Sequence, residues 1–172
     1  MKMKRIAGLT LVLLSFVIVL VSAFVYEQQS NTVTQTITEI ASITLDQAAL
    51  GDIEEGETIL YTPTNTSAID QILDVTTGKD GVYLYFETDL DSQSSNYDTY
   101  QIEVIVDTAP GGSGVSGTIE TLTIGSPNSA SGIALDLEGD WVFDFQVTTT
   151  AQLVDSDTPT TVNIDVFAQS TA

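Results

Sequence analysis

Gly81-Val82-Tyr83-Leu84-Tyr85-Phe86-Glu87-Thr88-Asp89-Leu90 places Val82, Leu84, Phe86 and Leu90 on one set of alternate positions and Tyr83, Tyr85, Glu87 and Asp89 on the other. A period of two is the signature of a strand with one face in a core and the other in water. The same alternation recurs along the chain. Tyr100, Ile102, Val104 and Val106 alternate with Gln101, Glu103, Ile105 and Asp107. Trp141, Phe143, Phe145 and Val147 alternate with Val142, Asp144, Gln146 and Thr148, and Val162, Ile164, Val166 and Ala168 alternate with Asn163, Asp165, Phe167 and Gln169. Shorter runs occupy Thr58–Thr62, Ile69–Val75, Thr118–Ile124 and Ile133–Leu137. Stretches rich in Gly, Ser, Asp and Pro separate them, at Gly78–Gly81, Ser92–Asp98, Pro110–Gly117, Ser126–Gly132, Glu138–Asp140 and Asp155–Thr160.

About eight short strands with polar outer faces predict an all-β fold, an antiparallel β-sandwich of the immunoglobulin-like or jelly-roll class. The expected core holds Phe86, Val104, Trp141, Phe143, Phe145, Ile164 and Val166. At 172 residues there is room for one such domain, expected over 46–172.

Ahead of the domain, Met1-Lys2-Met3-Lys4-Arg5 opens an apolar run from Ile6 to Val21, followed by Ser22 and Ala23. A basic start, an apolar stretch and small residues at its end predict an export leader over 1–23, cleaved after Ala23. The rest of the chain is then expected outside the cell or at its surface. Two other readings of this segment stand beside it. Ile6 to Val25 is long enough to stay as a membrane helix. The run Lys4-Arg5-Ile6-Ala7-Gly8-Leu9 resembles a class III pilin leader, which implies cleavage after Gly8 and an apolar helix kept in a filament core.

Composition removes whole classes of function. Lys and Arg number 4 against 24 Asp and Glu, for a net charge of −20, and three of the four cations lie in the leader. Without the leader, Lys79 stands alone against 24 acids, a net charge of −23. Such a surface repels phosphate backbones and anionic headgroups, so nucleic acid is not an expected partner, and a membrane is expected only through the apolar N-terminal segment. There is no Cys and no His, which removes disulfides, thiolate zinc sites and imidazole bases. Lys79 lies in a Gly-flanked turn where an amine stays protonated, and no catalytic residue set is evident, so an enzyme is not expected.

Two weaker signals remain. Asp89, Asp91 and Asp98, with Asn96 between them, put several oxygen ligands into one loop and make calcium the one cofactor to test, although the EF-hand spacing is absent. Asn65-Thr66-Ser67 fits the N-glycosylation pattern beside Pro63, with Asn65 as the acceptor.

Residues 24–45 form an N-terminal segment whose Thr32, Thr34, Thr36 and Thr38 recur at every second position. As a strand this is a threonine ladder, favourable on a pleated surface. As a helix it lines up Val33, Ile37, Ile40 and Thr44, but four Thr in seven residues cost about 2–3 kcal/mol relative to Ala, which favours the strand.

The stretch Leu50-Gly51-Asp52-Ile53-Glu54-Glu55-Gly56-Glu57-Thr58-Ile59-Leu60-Tyr61-Thr62-Pro63, behind a leader and a first strand, resembles the second-strand region of secreted β-sandwich fibre proteins. The plan of the whole chain is similar to archaeal thread and bundling-pilus subunits and to TasA-type biofilm fibre proteins. The resemblance implies a homo-oligomeric cell-surface filament in which residues 24–45 donate a strand to the next subunit, with Val33, Ile37, Ile40 and Ile43 as its assembly contacts. A membrane-anchored β-sandwich that binds or adheres as a monomer is the competing expectation.

Overall fold

The computed structural model describes residues 40–153 and 160–170. Nine strands follow one another there: β1 (Ala41–Leu45), β2 (Thr58–Tyr61), β3 (Leu73–Thr77), β4 (Val82–Thr88), β5 (Tyr97–Thr108), β6 (Gly117–Thr123), β7 (Ile133–Leu135), β8 (Gly139–Ala151) and β9 (Ile164–Ser170). Each of the alternating runs contains one of them, and all ladders are antiparallel. The fold is an all-β antiparallel sandwich, as the alternation predicts.

β8 is the spine of the larger sheet. At 13 residues it is long enough to carry two strands end to end on one edge, β3 from Phe143 to Gly139 and β2 from Thr150 to Val147. Its other edge pairs with β5. β1 lies beyond β3, and β6 beyond β5, which makes six strands. The smaller sheet has three, in the order β7-β4-β9.

The core lies between the sheets. Trp141, Phe143, Phe145 and Val147 of β8 face Leu84 and Phe86 of β4, with Leu73, Val75, Ile102, Val104, Leu122 and Leu135 around them. Trp141 and Phe143 stack with their ring planes within 5°. The Trp141 indole N–H donates to the Leu137 carbonyl at 3.2 Å, so the one polar atom of the ring is satisfied inside the core. Trp141 is fully buried.

Three expectations are corrected. Ile164 and Val166 pack on the core but are only half-buried, because β9 is the outermost strand of the smaller sheet. The sandwich begins by Ala41 and not at Asp46: β1 pairs with β3 along its whole length, from Ala41 opposite Thr77 to Leu45 opposite Leu73. Leu90 is buried as expected, but from a 3-10 turn at Leu90–Gln93, since the backbone leaves extended geometry at Asp89 (φ −97°, ψ 25°).

Candidate functional site

The three acids proposed for calcium do not converge. Both oxygens of Asp89 are taken by Asn163, the backbone N–H at 2.8 Å and the side-chain amide at 2.6 Å. Asp91 Oδ1 accepts from the Gly125 N–H at 2.6 Å, and Asp98 is exposed at the start of β5. Among the described residues no group of three acids is placed to hold a metal ion, which corrects the calcium expectation. These loop carboxylates instead tie distant segments together. The acids Glu87, Asp89 and Asp165, with Thr88, Asn128 and Asn163, line an open cleft of about 220 Å³.

Other carboxylates behave likewise. Asp136 accepts from Ser113 Oγ at 2.7 Å and the Gly114 N–H at 2.8 Å, and these bonds hold its pKa below the usual range. Asp144 on the outer face of β8 accepts from the Gln71 N–H at 2.7 Å, and the Gln71 side chain reaches Asp107 at 3.2 Å. Partial burial pushes the Asp144 carboxyl up, and the nearby Asp107 and Asp70 add to this against the opposing Gln71 bond. Gln71 itself sits at φ 48°, a left-handed conformation uncommon for a side-chain-bearing residue.

Asn65 lies exposed in the loop after β2. Its Oδ1 accepts from the Thr62 N–H at 2.7 Å and from Thr66 Oγ at 3.0 Å, and its Nδ2 donates to the Leu60 carbonyl at 2.9 Å.

The residues expected to make assembly contacts divide. Val33 and Ile37 lie outside the described residues, as do the leader and both cleavage positions. Ile43, expected as a contact to another subunit, packs on its own core from β1, opposite Val75. Ile40 accepts from the Gly78 N–H through its carbonyl, closing the end of β1 against the turn after β3.

The outer edge of β9 carries backbone groups that no described strand pairs with. Among the described residues β9 pairs only with β4. The Phe86 N–H bonds Ser129 Oγ at 3.0 Å and its carbonyl accepts the Ser129 N–H at 2.8 Å, so Phe86 faces away from β9. Backbone direction alternates along an antiparallel strand. β4 therefore meets β9 through Tyr83, Tyr85 and Glu87, opposite Gln169, Phe167 and Asp165. It follows that the N–H and C=O groups of Ile164, Val166 and Ala168 point to the open edge. Their side chains form the half-buried row on the core side, so one set of residues offers both an unpaired ladder and incompletely covered apolar surface. Alternation foretold which face of β9 is apolar but not that β9 is an edge, since its hydrogen-bonded partner among the described residues comes from a strand far earlier in the chain.

Comparison with protein-family models finds none that matches the chain, and comparison with curated proteins finds no match.

Proposed function

We propose that the chain is an exported structural subunit of a cell-surface filament, built by adding the segment ahead of β1 of one copy to the β9 edge of the next. The observation that carries this reading is the outer edge of β9, which β1 of the larger sheet approaches but does not pair with. Seven residues pair with β4 in unbroken register, without Pro, Lys or bulge, and the opposite side is unpaired among the described residues. An incoming extended segment satisfies the outward N–H and C=O groups and covers Ile164, Val166 and Ala168 with its own alternate side chains, the logic of strand addition. Val33 and Ile37 are the donor side chains on this reading. Ile40 and Ile43 are excluded from that role by their place at the start of the donor's own sandwich. Head-to-tail addition is a heterologous contact that does not close on itself, so it propagates.

Charge opposes assembly, because every mature copy carries −23. Salt, divalent cations or low pH should relieve the repulsion. The test is deletion of residues 24–39, which stops short of β1. Electron microscopy should show fibres from the mature chain and none from the truncated one, which remains a β-rich monomer by circular dichroism. Normal fibres from the truncated chain would sink the proposal, as would a mature chain that stays monomeric under all these conditions.

A further inference from the structure

The outer face of the smaller sheet carries a row of aromatic side chains that neither the core nor the β9 edge uses. Alternation along β4 sends Tyr83, Tyr85 and Glu87 outward. The register sets Phe167 beside Tyr85, Gln169 and Ala134 beside Tyr83, and Asp165 beside Glu87. Phe167 is 43 % exposed, the one aromatic among the large hydrophobic residues exposed in the described region.

Gly132, just ahead of β7, reveals how the tyrosines lie. A Cβ built there would fall 2.6 Å from Tyr85 Cζ, 2.7 Å from its hydroxyl and 2.9 Å from Tyr83 Cβ. The Tyr85 ring is therefore laid across the sheet over the Gly132 α-carbon instead of standing out from it. Gly132 has no positive φ, so its backbone does not require glycine, whereas the ring does. The result is a low aromatic surface crossing from the start of β7 over β4 to β9, with Gln169 at one end and Glu87 and Asp165 at the other.

We propose that this face binds neutral polysaccharide. Flat rings offer their faces to the C–H faces of sugar rings, while the bordering carboxylates and amide accept and donate hydrogen bonds to hydroxyls. Charge selects among occupants. Polyanionic chains are repelled by the −23 surface, whereas a neutral polyol meets no such penalty. A strand added at the β9 edge leaves this face open, and the inference does not rest on the filament reading.

The test is depletion of the mature chain from solution by microcrystalline cellulose and by chitin, with soluble laminarin titrated by calorimetry and alginate beads as the anionic control. At least one neutral probe should bind, alginate should not, and 0.5 M sodium chloride should leave neutral binding intact. Phe167→Ala and Tyr85→Ala should each weaken it about tenfold, the scale of one lost stacking contact. Gly132→Ala should weaken it too, by lifting the ring. Phe167→Ala removes an exposed side chain and should melt as the parent does, which separates loss of binding from loss of fold. Failure of all three neutral probes overturns the proposal, and so does binding that survives the three substitutions. Sedimentation showing a dimer that Phe167→Ala abolishes would assign the face to self-association and overturn it as well.

Discussion

The outer strands β6 and β9 close opposite sheets of the sandwich, yet their free edges are built differently. Beside β6, the register with β5 shifts between Val104 and Ile105, and the strand starts at Gly117 with φ 71°. At its other end the Thr123 N–H donates to the Ser126 carbonyl at 3.0 Å and the Ser126 N–H returns to Thr123 at 2.9 Å, so the following turn folds back over the edge. A bulge, a glycine start and a folded-back turn are ways of spoiling an edge for a foreign strand. β9 has none of them. It carries the exposed Asp165 and has β1 of the larger sheet close by, and its core-facing row is only half covered. Of these two edges, the flat one on β9 is the better template for strand addition.

Proline on each edge separates the two most sharply. At Ala168 the N–H points to the open side, so Ala168→Pro should fold and abolish fibres, while Gln169→Pro breaks a bond to β4 and should cost about 1–3 kcal/mol of stability in urea. On β6 the Ile124 N–H bonds the Tyr100 carbonyl, so Leu122 also faces β5, and Thr121, like Thr123, points outward. Thr121→Pro should fold and leave fibres unchanged. Fibres lost equally with Thr121→Pro and Ala168→Pro would erase the distinction between the edges.

Much of this was legible because burying one face of a strand forces a period of two. Trp141, Phe143 and Phe145 on one side of β8, with Val142, Asp144 and Gln146 on the other, show it most plainly. The start of the sandwich was missed because Ala41-Ser42-Ile43-Thr44-Leu45 continues the threonine-rich alternation before it without a break, and only its pairing with β3 assigns it to the domain. Edge status is a long-range property. Nothing within Ile164–Ser170 records that β4 pairs with one side and no described strand pairs with the other. The acids misled for a related reason: Asp89 and Asp91 are near in sequence, but their partners Asn163 and Gly125 are distant, and those partners decide what the carboxylates do.

Alkali should act on the guarded side first. Tyr100 lies on β5, next to β6, with its ring edge-to-face on Tyr97 at 5.0 Å. Burial, then the neighbouring Tyr97 and Tyr61, push its pKa up to about 12. Between the ordinary value of 10.0 and about 12 the unfolded chain releases a proton that the folded chain keeps, so stability falls as pH rises through that window. The loss should reach about 2–3 kcal/mol by pH 12. Tyr100→Phe should remove most of it in urea unfolding at pH 10 to 12, leaving the smaller share from Tyr61, whose pKa is also raised. An unchanged alkaline slope in Tyr100→Phe would show that the hydroxyl is not what burial holds neutral.

The smallest effect concerns the larger sheet's outer face, away from both edges. Asp144 has its folded pKa raised, so the folded state binds its proton more tightly than the unfolded chain does. Its contribution is therefore favourable at pH below the ordinary carboxylate value and is lost as pH rises through the raised one. Asp136 runs the other way: its lowered pKa favours the fold above the ordinary value, and that benefit fades in acid. Asp144→Asn keeps an oxygen to accept the Gln71 N–H but cannot charge. At pH 7 it should stabilise the chain by less than about 1 kcal/mol, since water screens so exposed a group. Below the ordinary carboxylate range the gain should vanish, because the parent is then protonated too. Thermal melts of the two chains across pH 3 to 7 test this. A destabilised variant at pH 7 would mean that the carboxylate charge strengthens the Gln71 bond by more than burial and the neighbouring acids cost. Fibre formation should be the same in both chains, because Asp144 touches neither β6 nor β9.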